Sequence, residues 1–164
     1  MDRRSVFTVS AITALGLMLL PSSSIAQQDT LKQQLVGTWT TVSYEVGNRQ
    51  IANPKGMLMF DAGGRYTNIQ VRGDRPKYKS ASAPTPEEIA ANLRDFVAAN
   101  FGRWSVNEAD KTLTRHVDGA ITPNTEGTEF KQTVSLSGDE LRLTTVTPGP
   151  RGAAGSVDVF RRAR

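Results

Sequence analysis

From Val36 onward the chain falls into short stretches in which apolar and polar residues alternate, separated by clusters of Gly, Asn, Asp and Pro. A period of two marks a strand with one buried and one wet face. The pattern predicts strands over 37–46, 56–61, 65–72, 102–107, 112–118, 128–136, 140–147 and 156–162. Gly47-Asn48, Asp61-Ala62-Gly63-Gly64, Asn107-Glu108-Ala109-Asp110 and Ser137-Gly138-Asp139 offer the tight or left-handed geometry of hairpins, so most neighbouring strands are expected to be antiparallel. One segment departs from this period. After Thr85-Pro86-Glu87-Glu88, the apolar residues Ile89, Leu93, Phe96 and Val97 share a helical face. Thr85 suits the N-cap, Pro86 the first helical position and Glu88 the third position of a capping box, with acidic side chains at the positive end of the helix dipole. Glu87, Asn92 and Asp95 are expected to face water. A closed barrel is an economical use of these parts, because closure removes sheet edges and a single helix covers one open mouth. The expected fold class is thus all-β with one inserted helix: an eight-stranded, mainly antiparallel, up-and-down barrel over residues 35–164. Residues 147–155, with two Pro and three Gly, read as a loop or rim.

The N-terminal pattern is different. Asp2, Arg3 and Arg4 precede an uncharged run over residues 6–20, which Pro21, three Ser, Ile25 and Ala26 follow. This is the layout of a secretory signal, with cleavage expected between Ala26 and Gln27. The run is shorter than the ~20 residues that cross a bilayer and no stop-transfer charges follow it, so no stable membrane insertion is expected after cleavage. Residues 27–34 then read as a polar N-terminal arm, and the protein is expected to be exported, periplasmic or secreted.

Composition narrows the chemistry. At 164 residues, with 38% hydrophobic and 22% charged, the chain holds one ordinary folded domain. It has no Cys, which excludes disulfides, thiol nucleophiles and a lipoprotein anchor, and one His, which excludes the commoner zinc sites built on several imidazoles. The net charge is +4, and loss of the signal, with its two Arg and one Asp, brings it to +3. The basic residues are scattered beside acids and not interleaved with aromatics, so no nucleic-acid partner is expected. Neither a cofactor nor a metal is expected, and the protein is read as a monomer.

Two clusters carry candidate chemistry. His116 shares one strand face with Thr112, Thr114 and Asp118, opposite Leu113, Arg115 and Val117, and a His beside an acid can act as a general base. No strained nucleophile turn of the Gly-x-Ser-x-Gly type accompanies it, and paired carboxylates, a phosphate-binding Gly loop, an EF-hand run and His-Glu-x-x-His are all absent. Arg72, Arg75, Lys77 and Tyr78 precede the helix and can clamp a carboxylate or phosphate at a barrel mouth; the alternative is an Arg72–Asp74 pair with the rest in solvent. Tyr66 and Phe60 flank the preceding hairpin and serve equally as cavity lining or core.

The same stretches carry a family resemblance. Leu35-Val36-Gly37-Thr38-Trp39 resembles the Gly-x-Trp opening of lipocalins. The chain from about 35 to 162 resembles the bacterial lipocalin-like domain family through Gly64-Arg65-Tyr66, Arg72-Gly73-Asp74-Arg75-Pro76-Lys77-Tyr78 and Glu87-Glu88. Further on, the matching pieces are Phe101-Gly102-Arg103-Trp104, Thr114-Arg115-His116-Val117, Pro123 with Gly127, Gly138-Asp139-x-Leu141 and Val159-Phe160-Arg161-Arg162. Two positions depart: Gln132 stands where the family tends to place Arg, and Phe160 where Trp is usual. The Gln removes a cation that an anionic ligand would pair with. The resemblance implies a lipocalin-like barrel in which Trp39 packs under an Arg of the last strand at the closed end. That Arg is Arg162 if the aromatic-x-Arg pattern holds, or Arg161 if Val157 and Val159 mark the inner face.

The resemblance implies binding of a small hydrophobic or amphipathic molecule. The candidate ligand contacts are Tyr66, Arg72, Arg75, Tyr78, Trp104 and His116, and the structural cap is Trp39 with Arg161 or Arg162. Two alternatives stay open. One is a small isomerase, cyclase or hydrolase using His116 with Arg72 or Tyr66. The other is a barrel filled with side chains that serves as a protein-interaction module.

Overall fold

The structure is a computed structural model, and it describes residues 29–47, 49–146 and 155–164. The predicted signal, Asn48 of the first predicted turn and residues 147–154 of the predicted loop lie outside the described residues. In chain order the elements are helix α1 (Leu31–Leu35), strands β1 (Gly37–Val46), β2 (Arg49–Gln50), β3 (Pro54–Phe60) and β4 (Arg65–Arg72), and helix α2 (Pro86–Arg94). Strands β5 (Phe96–Asn107), β6 (Thr112–Ala120), β7 (Glu129–Ser137), β8 (Glu140–Thr145) and β9 (Val157–Arg162) complete the fold, with a 3-10 turn at Pro123–Thr125.

Strands β3 to β9 follow one another antiparallel in chain order, and β1 pairs with β3 on one side and β9 on the other. The result is a closed eight-stranded antiparallel barrel, and the two-residue β2 folds back on the end of β1 as an additional strand. Closure comes with local irregularity. The β1–β9 register shifts between Thr41 and Ser43, and the β5–β6 register between Phe101 and Gly102. At Gly102 the β6 backbone comes so close that a Cβ would collide with the His116 carbonyl oxygen and the Asp118 nitrogen, so only glycine fits. The β7–β8 hairpin turns through Gly138 at φ 56°, which glycine adopts without strain.

Alternation sets what the interior contains. Near the end where β1 begins and β9 finishes, Trp39, Leu58, Phe60, Trp104, Leu113, Val134, Leu141, Leu143 and Phe160 form one buried cluster. Helix α1 seals it, with Leu35 fully buried and Leu31 packed against the same cluster. Thr30 and Gln33 form a capping box, and the Glu108 carboxylate from the β5–β6 turn accepts hydrogen bonds from the Leu31 and Lys32 backbone N–H groups at 2.9 and 3.0 Å. Residues 31–34 of the segment read as a polar arm, together with Leu35, therefore form the plug of the barrel. Two apolar residues in five are too weak a signal to mark a helix, and tertiary packing supplies what propensity does not.

Helix α2 begins as expected, with Thr85 at the N-cap, Pro86 in the first turn and a reciprocal Thr85–Glu88 capping box. It ends at Arg94. Phe96 and Val97, expected on its apolar face, belong instead to β5, where Phe96 pairs with Val71. Strand β5 is thus six residues longer than its predicted span, starting at Phe96 instead of 102. Deprived of those two residues, α2 buries nothing: Ile89 is 40% and Leu93 50% exposed. The helix stands beside the open end without lining its interior, and the mouth covered by a helix is the opposite one.

Candidate functional site

The two ends of the barrel differ in what the strands point inward. Passing from the closed end toward the open end, the inward residue changes from Leu113 to Arg115 on β6 and from Val134 to Gln132 on β7. It changes likewise from Leu143 to Thr145 on β8, from Phe160 to Asp158 on β9, and from Tyr66 to Asn68 and Gln70 on β4. Above this polar layer lies a cavity of about 140 Å³, counted as room for the centres of water molecules, with Tyr44, Phe96, Ala98, Ile121 and Phe130 among its apolar walls. A space of that size holds several waters or part of a small organic molecule.

The polar layer is one connected network. Arg115 Nη2 donates to Gln132 Oε1 at 2.8 Å, and Gln132 Nε2 donates to Thr145 Oγ1 at 3.2 Å and to Asp158 Oδ2 at 3.4 Å. Gln70 Nε2 donates to Asp158 Oδ1 and to Asn68 Oδ1, both at 3.2 Å, and Ser156 Oγ donates to Thr145 Oγ1 at 2.7 Å. Burial pushes the Asp158 carboxyl up to about 6, against the opposing pull of the Arg115 charge and the two carboxamide N–H groups. Arg115 also stacks over the Tyr66 ring at 5.3 Å, and burial raises the pKa of that phenol above its ordinary value. Among the described residues, Arg115 Nε and Nη1, Gln70 Oε1, Asn100 Oδ1 and Tyr66 Oη are buried without a hydrogen-bond partner. Unpaired polar atoms in such a setting favour a polar occupant.

The residues singled out from the sequence scatter over the molecule. Tyr66 is buried beneath Arg115 at the floor of the site. Trp104 is buried in the closed-end cluster, tilted against Phe60, and donates from Nε1 to the Asp61 carbonyl at 3.1 Å. Arg72 lies 3.9 Å from both Asp74 and Asp95, outside the cavity lining. Arg75 stacks over the Phe96 ring at 5.2 Å and is not part of the cavity lining, and Tyr78 is 38% exposed. The clamp expected from Arg72, Arg75 and Tyr78 is therefore not assembled. The segment carrying it leaves the barrel after β4, with Arg72 turned to its neighbouring acids.

His116 faces outward. Its Nδ1 lies 3.1 Å from Arg103 Nη2 and 3.2 Å from Asp118 Oδ1, and Asp118 also accepts from Arg65 Nη1 at 2.8 Å and Arg103 Nε at 3.3 Å. Desolvation raises the Asp118 carboxyl, but the Arg103 hydrogen bond and the charges of Arg103, Arg65 and His116 outweigh it and hold the pKa below its ordinary value. His116 and Tyr66 sit on opposite faces of the barrel wall, and Arg72 is tied to Asp74 and Asp95. The catalytic arrangement of His116 with Arg72 or Tyr66 has no shared space in which to act.

At the closed end, Arg162 lies over the Trp39 ring at 4.1 Å and donates to the Val36 carbonyl at 3.1 Å and the Gln34 carbonyl at 2.5 Å. Trp39 donates from Nε1 to the Leu35 carbonyl at 2.9 Å. Arg161 is exposed, because the inner face of β9 is marked by Asp158 and Phe160 and not by Val157 and Val159. A buried Asp inverted the apparent phase of that strand.

The site residues that sequence reasoning passed over are Asn68, Gln70, Arg115, Gln132, Thr145, Ser156 and Asp158. A usable signal existed on β6, β7 and β8, where Arg115, Gln132 and Thr145 continue the inward phase set by Leu113, Val134 and Leu143; on β9 Val157 and Val159 point to the opposite phase, so Ser156 and Asp158 carried no such signal. Gln132, read as the loss of a cation, stands beside one, since the neighbouring strand supplies Arg115.

The lipocalin-like domain model matches residues 36–159. Among solved structures, the crystal structure of the fluorescent protein UnaG is similar, with 13% identity, a TM-score of 0.37, and coverage of 80% of this chain and 98% of that one. A single-residue variant of UnaG is similar at 14% identity, with a TM-score of 0.36 and coverage of 80% and 98%. No curated protein matches the chain. With a closed antiparallel barrel, a Trp39–Arg162 stack at its sealed end and a family match over most of its length, the chain belongs to the lipocalin-like domain family.

Proposed function

We propose that this protein is an exported carrier that binds one small amphipathic molecule in the open end of its barrel. The observation that supports it most is the two-part lining of the cavity: Phe96, Ile121 and Phe130 offer apolar contact, and the Arg115–Gln132–Asp158 network below them offers polar contact. Small-molecule sites commonly combine an apolar wall with a few convergent polar groups. Export rests on the pattern of residues 2–26, a basic start, an uncharged run and small residues before Gln27.

The test is to strip the protein of bound lipid, incubate it with an extract of its native cells, and identify what it retains by native mass spectrometry. A small amphipathic molecule bound one to one is the expected result, and repeated recovery of empty barrel overturns the reading. Intrinsic Trp fluorescence is a poor reporter here, since both Trp residues sit in the closed-end cluster.

A further inference from the structure

The polar layer holds two opposite charges that do not meet. Arg115 Nη2 is engaged by Gln132 Oε1, and Gln132 Nε2 reaches Asp158, so one carboxamide stands between guanidinium and carboxylate. The Arg115 side chain is more than nine-tenths buried, yet its Nε and Nη1 have no acceptor among the described residues. Of the groups a small molecule can bring to such donors, an anionic oxygen makes the strongest hydrogen bond. Around Asp158, β6 presents Arg115, β4 Asn68 and Gln70 with the Tyr66 phenol beneath, β7 Gln132, β8 Thr145 and β1 Tyr44. The β5 segment contributes Phe96, Ala98 and Asn100. Arg115 and Asp158 are thus the charged partners of this space, and burial, which raises the Tyr66 phenol, keeps that group neutral.

Resting on the carrier reading, we infer that the ligand docks through a carboxylate head that accepts hydrogen bonds from Arg115, and that its docking draws one proton from solvent onto Asp158. The first half follows from the orphaned guanidinium hydrogens. The second follows from charge: a second anion in one poorly solvated cavity penalises the ionised Asp158, whereas a protonated Asp158 leaves Arg115 paired with the ligand alone. Burial already brings the Asp158 carboxyl to about 6, so the proton is within reach at neutral pH.

Octanoate and 1-octanol, which share a tail and differ in the head, separate these claims by calorimetry on the unaltered protein. Octanoate is expected to bind at least tenfold more tightly than 1-octanol at pH 7. Titrations in buffers of different ionisation enthalpy should show uptake approaching one proton per octanoate. Its affinity should rise by up to tenfold per unit as pH falls from 8 to 6. Asp158→Asn should bind octanoate with no proton uptake, and Arg115→Gln should lose the preference for octanoate. Equal affinity for the two probes overturns the carboxylate head and leaves the carrier reading standing. Octanoate binding without proton uptake overturns the coupling, and binding of neither probe overturns both the inference and the carrier reading beneath it. The probe comparison and the proton count need no variant, so they decide the matter even if a substitution prevents folding.

Discussion

The same eight strands build both ends of the barrel, yet the two ends put their inward residues to opposite uses. At the closed end, Trp39, Leu113, Leu141 and Phe160 interlock under α1, and the Trp39 and Trp104 indole N–H groups and the Arg162 guanidinium are all paired with backbone carbonyls. At the open end a buried carboxylate, a buried guanidinium and several amides share a cavity, and some of their atoms have no partner among the described residues. Burying apolar surface stabilises a fold, whereas burying charges that are incompletely paired costs it free energy. The difference teaches that the closed end holds the barrel together, and that the open end keeps a lining that stability alone would not favour.

That contrast can be broken in a graded way. Trp39→Ala removes a fully buried ring together with its hydrogen bond to Leu35 and its stack with Arg162, and should cost about 3–5 kcal/mol in denaturant unfolding. A loss under about 1 kcal/mol would remove the closed end from its assigned role.

At the open end the sign reverses. The folded-state carboxyl of Asp158 is raised from 3.8 to about 6, so ionising it opposes folding. The penalty is absent below about pH 4, grows between roughly pH 4 and 6, and is fully present above, approaching about 3 kcal/mol. Asp158→Asn should therefore be more stable than the unaltered protein at pH 8, and the advantage should vanish by pH 4. Chemical denaturation of both proteins across this range checks it. Comparing the two cancels the contributions of Asp118 and the other carboxylates, and a variant that is less stable at pH 8 would contradict the assignment.

Much of this architecture was legible in the sequence. Turn residues and period-two alternation placed every barrel strand, and the capping residues of α2 located its start, because these signals are local. What escaped depends on packing. Phe96 and Val97 satisfy a helical period as well as a strand's, and only pairing with β4 decides between them. Leu31 and Leu35 gain meaning only once a barrel mouth exists for them to close. The binding layer was missed for a related reason: Asp158 between two Val residues looks like the wet face of a strand, and only closure of the barrel turns it inward. His116 and Arg72 drew attention as residue types, but their acidic neighbours already account for them.

Smaller changes sharpen the same contrast. Arg162→Gln should lose about 1–3 kcal/mol, since the stack on Trp39 and the charged donors to the carbonyls that end α1 disappear together. Hydrogen exchange at Leu35 and Val36 should accelerate in that variant, while residues at the open end keep their protection. His116→Ala, on the outer face, should change stability by no more than about 0.5 kcal/mol and leave ligand affinity unaltered. A large loss of binding in His116→Ala would return the outer cluster to consideration.

The most direct test of a ligand site at the open end is an amide chemical-shift map of the isotope-labelled protein titrated with octanoate. The predicted result is a set of perturbations confined to the inward positions around Phe96, Asn100, Arg115, Phe130, Gln132 and Asp158, with Trp39, Leu113 and Phe160 undisturbed. Saturating octanoate that moves none of these signals, or moves instead those of the exposed outer residues Met57, Met59, Ile69 and Phe101, would contradict it.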